Sequence, residues 1–183
     1  MAKKIKLLIL FWLLTKIKLP TGPIGIYLSG GSDSAILFWL IASQRQHEVV
    51  LLTVASDDKK FNIEPALAVV EWVNSNTSVT ILEHCVTLAP NLESRKKYRD
   101  RATDRLTKQW NLSCWVSGKT RNPDVELKHH EQRKQDRDRL IPRVIHNHFY
   151  SPFHNINKSQ LALLYKKYEL NRLHSLTVSC ETS

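Results

Sequence analysis

The sequence predicts an α/β domain: an open parallel sheet with helices on both faces. Three observations carry that prediction. Short apolar runs of strand length recur along the chain, segments with helical spacing separate them, and the chain is long enough for one substantial core. The alternation of strand and helix is the signature of parallel strands joined by covering helices. With 183 residues, 42% of them hydrophobic, a second full domain would be crowded.

Taken in order, residues 1–22 open with Lys3, Lys4 and Lys6 and then the apolar run Leu7 to Leu14, after which Lys16 and Lys18 follow at once. The run is too short to span a bilayer, and no small-residue cleavage site follows it. It is expected to form an N-terminal helix packed on the domain and ending near Pro20 and Gly22. The domain proper then occupies 23–183. Pro23 to Leu28 (PIGIYL) reads as a first strand with little polar alternation, and Ser34 to about Ser43 as the helix after it. His47 to Val54 supplies a second strand. Asn62 opens a second helix, with Pro65 in its first turn and Ala66, Val69, Val70 and Val73 at helical spacing. Val79 to His84 is a third strand, Leu92 to Gln109 a long charged helix, and Leu112 to Ser117 a fourth strand running into Gly118. Residues 119–143 are rich in both charge signs and have no apolar stripe, which predicts a solvated helix or mobile loop inserted in the domain. Val144 to Tyr150 reads as a short strand. Lys158 to Leu170 reads as a final helix with Leu161, Leu164, Tyr165 and Tyr168 on its buried side.

Composition narrows the partners. Lys and Arg outnumber Asp and Glu by 27 to 17, a formal charge of +10, which favours phosphate-bearing ligands. The three cysteines, Cys85, Cys114 and Cys180, are odd in number and far apart, so they indicate neither a disulfide framework nor a close-spaced zinc pair and fit a reducing, cytoplasmic setting.

The stretch IYLSGGSDSA, residues 26–35, carries the chemistry. Strand, glycine-rich turn and helix start, in that order, expose backbone N–H groups that nothing inside the helix can satisfy, so they form an anion cradle. Gly30 and Gly31 let the backbone turn sharply and approach phosphate oxygens, while Ser29, Ser32 and Ser34 offer hydroxyls. Asp33 would repel a bare phosphate. A carboxylate there makes sense if a divalent cation lies between it and the phosphates, so the expected ligand is a polyphosphate with Mg²⁺. The stretch has neither the lysine of G-x-x-x-x-G-K-[ST] nor the spacing of G-x-G-x-x-G.

Ser29-Gly30-Gly31-Ser32-Asp33-Ser34 resembles S-G-G-x-D-S, the loop of the N-type ATP pyrophosphatases within the adenine nucleotide alpha hydrolase superfamily. That resemblance implies a Rossmann-like fold and an enzyme that cleaves ATP between the α and β phosphates, adenylates an oxygen of its substrate, and lets ammonia, an amine or a sulfur nucleophile displace AMP. Further segments resemble 7-cyano-7-deazaguanine synthases: Pro152 to Leu161, Leu173 to Cys180 as a closing strand, the group Asp57, Asn62, Glu64 and Ala66, and Trp115-Val116-Ser117-Gly118. Leu19 to Gly25 instead resembles the approach to the same strand in asparagine synthetases. The deazaguanine synthase resemblance also implies four zinc cysteines, of which Cys180 is the one matched here, so zinc is not expected within this chain alone. The turn Gly118-Lys119-Thr120-Arg121 lacks the asparagine the resemblance implies two places after the glycine.

On this reading the catalytic candidates are Asp33, Ser34 and Lys158. The nucleotide-binding candidates are Ser29, Gly30, Gly31, Ser32, Asp33, Ser34, Gly118, Lys119 and Arg121, with Asp33 also the metal candidate. Tyr27 and Leu28 are expected to pack. His146, His148 and His154 show no recognised metal spacing and read as ordinary polar histidines. Expected partners are a small-molecule substrate and ammonia or another amine donor, with a second copy of the chain implied by the resemblance. The rival reading is a nucleic-acid-binding module, because seven basic residues lie between Arg95 and Lys108, and the resemblance implies tRNA, bound or modified, as its partner; aromatic residues among the basic ones are sparse, which favours a solvated helix face. A third reading is a catalytically degenerate nucleotide-binding relative.

Overall fold

The computed structural model describes residues 17, 19–120, 149–153 and 156–178. A five-stranded parallel sheet has the order β3-β2-β1-β4-β5, with β1 at Ile24–Tyr27, β2 at Glu48–Ser56, β3 at Thr80–Ala89, β4 at Cys114–Ser117 and β5 at Phe149–Tyr150. The helices are α1 (Ser32–Gln44), α2 (Ile63–Asn76), α3 (Arg95–Trp110), α4 (Lys158–Lys167) and α5 (Asn171–Ser175). The predicted fold class is the observed one.

Strand alternation divides the core in two. Ile24, Ile26, Leu28, Val49, Leu51, Cys114 and Val116 face α1, α2, α4 and α5, where Ile36, Phe38, Val69, Leu161 and Leu173 are fully or nearly fully buried. On the opposite face Val50, Leu52, Val54 and Trp115 meet Ala102 and Leu106 of α3. Because the central strands are buried on both sides, nearly every residue in them must be apolar. Gly25 is required here: a Cβ on it would lie 2.4 Å from the Trp115 indole.

Several boundaries differ from expectation. β3 runs on to Ala89, five residues past His84. It is an edge strand whose exposed Val86 and Leu88 break the simple apolar pattern. A closing strand over Leu173 to Cys180 is not formed in its first half. Asn171–Ser175 is a short helix that buries only Leu173, and Thr177 and Val178 are irregular. α4 ends at Lys167, and Glu169, at φ 55°, starts a new direction. Its start is well specified: Asn157 accepts from the Gln160 N–H at 3.0 Å and Gln160 Oε1 accepts from the Asn157 N–H at 3.0 Å, a reciprocal capping box.

The expected N-terminal helix lies outside the described residues except at its end, where Ile17 is buried in the core and residues 19–22 are irregular. Most of the charged insertion, Arg121, His146, His148, His154 and Cys180 also lie outside them. Among the described residues no helix is long and apolar enough to cross a membrane.

Candidate nucleotide site

The order β3-β2-β1-β4-β5 reverses direction between β1 and β4, and in open parallel sheets ligands bind outside the carboxyl ends of strands at that point. Residues 28–34 leave β1 there and enter α1. Gly30 has φ 75°, a conformation that L side chains rarely adopt, and a Cβ on it would lie 2.6 Å from the Asn62 carbonyl oxygen. Gly31 is different: its φ is −89° and a Cβ would meet only Ser29 Oγ at 3.4 Å and the Val178 carbonyl at 3.5 Å. Only the first glycine is obligatory for the local backbone.

Serine hydroxyls tie the loop together. Ser34 Oγ accepts from the Ser29 N–H at 3.1 Å and lies 3.0 Å from the Gly31 carbonyl, and Ser29 Oγ lies 3.1 Å from it and 3.4 Å from the Gly31 N. Ser34 is buried and Ser29 exposed, so Ser34 holds the turn and Ser29 presents it. Among the described residues no side chain caps the N-terminus of α1. Its first-turn N–H groups therefore remain available to an anion, reinforced by the helix dipole.

The turn after β4 closes the other side. A Cβ on Gly118 would lie 2.7 Å from the Asp33 carbonyl carbon and oxygen and 2.8 Å from the Ser34 nitrogen, so this glycine lets β4 pack against the loop backbone. Lys119 is exposed at the end of the strand. Thr120, not singled out from sequence, donates to Asp33 Oδ2 at 2.9 Å.

Lys158, 125 residues downstream, reaches both Asp33 oxygens, at 2.6 and 2.7 Å. On the same helix Tyr165 OH donates to the Ser32 carbonyl at 2.7 Å. Burial, and next the charge of Asp33, raise the Tyr165 pKa, so it stays a phenol donor. The Val178 N–H adds a bond to the Gly30 carbonyl at 3.0 Å. Sequence reasoning places Tyr165 on the buried side of its helix; the tyrosine at that position is the available signal for a polar tip reaching the loop.

A cleft of about 580 Å³ opens beside Ser29. It is lined by Tyr27, Leu28, Leu52 and Val54, by the aromatic rings of Phe149 and Tyr150, and by Arg95, Lys96 and Arg99 of α3. Tyr27 stacks on Trp115 with ring centroids 4.8 Å apart and on Phe149 at 6.0 Å. Its hydroxyl lies 3.0 Å from Thr103 Oγ1, and burial pushes its pKa up to about 12. The three cations come from the helix read in sequence as a solvated face. Arg95 and Arg99 are four residues apart and so share a side of α3. Arg95 Nε also donates to the Val54 carbonyl at 3.1 Å, which docks the helix start on β2.

Two polar atoms near this end of the sheet, Ser56 Oγ and Asn62 Oδ1, are buried without a hydrogen-bond partner among the described residues. For metal, among the described residues no three histidine, cysteine, aspartate or glutamate side chains converge. Asp33 stands as a single carboxylate already engaged by Lys158, Thr120 and Ser32. This side-chain set does not by itself fit a divalent cation. Cys114 lies in the core, its thiol pushed up to about 12 by burial, and Cys85 sits on β3 with Arg105 Nη2 3.2 Å from its sulfur.

No protein-family model matches the sequence, and no curated protein sequence matches it. Solved structures do. A U34-tRNA thiolase from Methanococcus maripaludis is similar over 81% of this chain and 58% of its own, with TM-score 0.55 and 15% identity. An NH3-dependent NAD synthetase from Campylobacter jejuni is similar over 94% of this chain and 75% of its own, with TM-score 0.52 and 19% identity. The chain thus spans little more than half the thiolase's length. At these identities the likeness is one of fold, an open parallel α/β sheet with helices on both faces, as expected from the sequence.

Proposed function

We propose that the chain is an ATP pyrophosphatase that activates an oxygen of its substrate as an adenylate. The observation that carries this reading is the uncapped start of α1 behind Gly30 and Gly31, at the carboxyl end of the sheet and beside a cleft lined by aromatic rings and cations. The first-turn N–H groups hold the β and γ phosphates, and the ammonium of Lys158 adds positive charge at the same place. A substrate carboxylate or amide-like oxygen attacks the α phosphorus, the bond to the β-phosphate oxygen breaks, and pyrophosphate leaves. Ammonia or another nucleophile then forms a bond to the activated carbon and expels AMP. The Mg²⁺ that accompanies ATP in water neutralises phosphate charge.

The resemblance at Pro152 to Leu161 and around Asn62 supports a small acceptor of the 7-cyano-7-deazaguanine synthase kind; amide formation of the asparagine synthetase kind uses the same chemistry. A second reading, a tRNA acceptor, is favoured by Arg95, Lys96 and Arg99 in the cleft wall and by the fold shared with a tRNA thiolase. Binding of tRNA that weakens steeply with salt would support it.

The test is the identity of the nucleotide products. AMP and pyrophosphate are expected, and ADP with inorganic phosphate as sole products would overturn the proposal. Lys158→Met, which removes the ammonium beside the phosphates, should lower turnover by about two to three powers of ten, the usual effect of removing one electrostatic contact at such a site, with a far smaller effect on stability.

A further inference from the structure

Asp33 is the one carboxylate on the phosphate loop, and its acceptor capacity is spent. A carboxylate offers about four lone-pair directions, two on each oxygen. Oδ1 accepts from Lys158 Nζ at 2.6 Å and from Ser32 Oγ at 3.3 Å. Oδ2 accepts from Lys158 Nζ at 2.7 Å and from Thr120 Oγ1 at 2.9 Å. An anion arriving at the head of α1 meets a carboxylate already neutralised and an ammonium already committed.

The two partners are held differently. The Asp33 side chain is 21% exposed and sits in the first turn of α1. The Lys158 side chain is 47% exposed and extends from the first residue of α4. The backbone behind it is fixed by the Asn157–Gln160 capping box and, two turns along, by the Tyr165 bond to the Ser32 carbonyl. A flexible four-carbon stem on a rigid mount can re-aim its charge by a few ångströms without moving the helix.

We infer that Lys158 is the resident cation of this site, stored on Asp33 while the site is empty, and that a polyphosphate binds by taking the ammonium from the carboxylate. The loop lacks the lysine of other phosphate-binding loops, and this exchange supplies one from 125 residues downstream. The inference rests on the proposed phosphate site and adds a claim about what happens to the ion pair when that site fills.

A double-mutant cycle reads this directly. Binding of inorganic pyrophosphate is measured by calorimetry in the presence of EDTA, so that no metal contributes, for the wild type, Asp33→Asn, Lys158→Met and the double variant. If the pair is broken on binding, Asp33→Asn releases Lys158 and tightens pyrophosphate. That tightening should be at least about fivefold larger when Lys158 is present than in the Lys158→Met background, because only the former contains a pair to break. Relief of simple repulsion by Asp33 would be the same in both. Equal tightening in the two backgrounds, or weaker binding by Asp33→Asn, overturns the exchange while leaving the phosphate site intact. Absence of pyrophosphate binding in all four proteins overturns the phosphate site itself, and the exchange with it.

Discussion

The two adjacent glycines of the loop should behave as opposites when each is replaced by alanine. At Gly30 the substitution forces a side chain into the left-handed region at φ 75°, which costs roughly 1 to 2 kcal/mol. It also brings a Cβ to 2.6 Å from the Asn62 carbonyl, a backbone atom at the head of α2 that cannot swing aside. Overpacking of this kind adds roughly 1 to 3 kcal/mol, giving about 2 to 5 kcal/mol in total. For a domain of this size each kcal/mol lowers the melting temperature by roughly 2 to 4 °C, so Gly30→Ala should melt about 4 to 20 °C early. At Gly31 the backbone is extended and the new contacts, 3.4 and 3.5 Å, are ordinary. Alanine there loses some preference for the cap position and gains about as much by restricting the unfolded chain, so stability should stay within about 1 kcal/mol of wild type. Thermal unfolding followed by circular dichroism measures both. Equal melting temperatures for the two variants would refute the assignment of the turn to Gly30, and with it the derived orientation of the α1 N–H groups.

Other outcomes follow from contacts around the loop. Gly118→Ala, whose Cβ would overlap Asp33 and Ser34 backbone atoms, should cost roughly 1 to 3 kcal/mol in urea unfolding and weaken ATP binding; an unchanged unfolding midpoint would contradict the close approach of β4 to the loop. Tyr165→Phe removes the bond to the Ser32 carbonyl and should destabilise by roughly 1 to 3 kcal/mol if that carbonyl is left unsatisfied; unchanged unfolding would show that water replaces the phenol. His84 is neutral in the folded protein because burial lowers its pKa from 6.5. The unfolded chain therefore binds the extra proton first, and the stability this neutral residue contributes is full above pH 6.5 and lost as pH falls below it. His84→Gln should flatten that acid limb in unfolding midpoints measured between about pH 7.5 and 5.

How much of this is legible in sequence depends on how each residue is satisfied. β1, β2 and β4 are central, so their apolar runs are unbroken and readable, and Ser29 to Ser34 announces its own backbone geometry. β3 is an edge strand whose outer half alternates with solvent, and its apolar pattern stops five residues short of its end. Thr120 and Tyr165 act through single long-range bonds, to Asp33 and to the Ser32 carbonyl, and no local pattern encodes a partner 87 or 133 residues away. Arg95, Lys96 and Arg99 look the same in sequence whether a helix side faces water or a cleft. Gly118 reads in sequence as a nucleotide contact, and its close packing against the Asp33 and Ser34 backbone is a long-range feature that no local pattern encodes.

The three ties from the C-terminal region to the loop, from Lys158, Tyr165 and Val178, also set a timetable for folding. During synthesis the strands β1 to β4 and their helices can emerge and begin to pair while the Ser29–Ser34 loop still lacks the residues that hold Asp33 and the carbonyls of Ser32 and Gly30. Closing so long a stretch of chain is slow and is rewarded only when the final contacts form. A ligand that recognises the finished loop would favour docked over undocked tails by mass action, by roughly 2.7 kcal/mol at a hundred times its dissociation constant. In a cell, chains caught before docking would then be the ones within reach of proteases, and the level of that ligand would help decide how many chains survive.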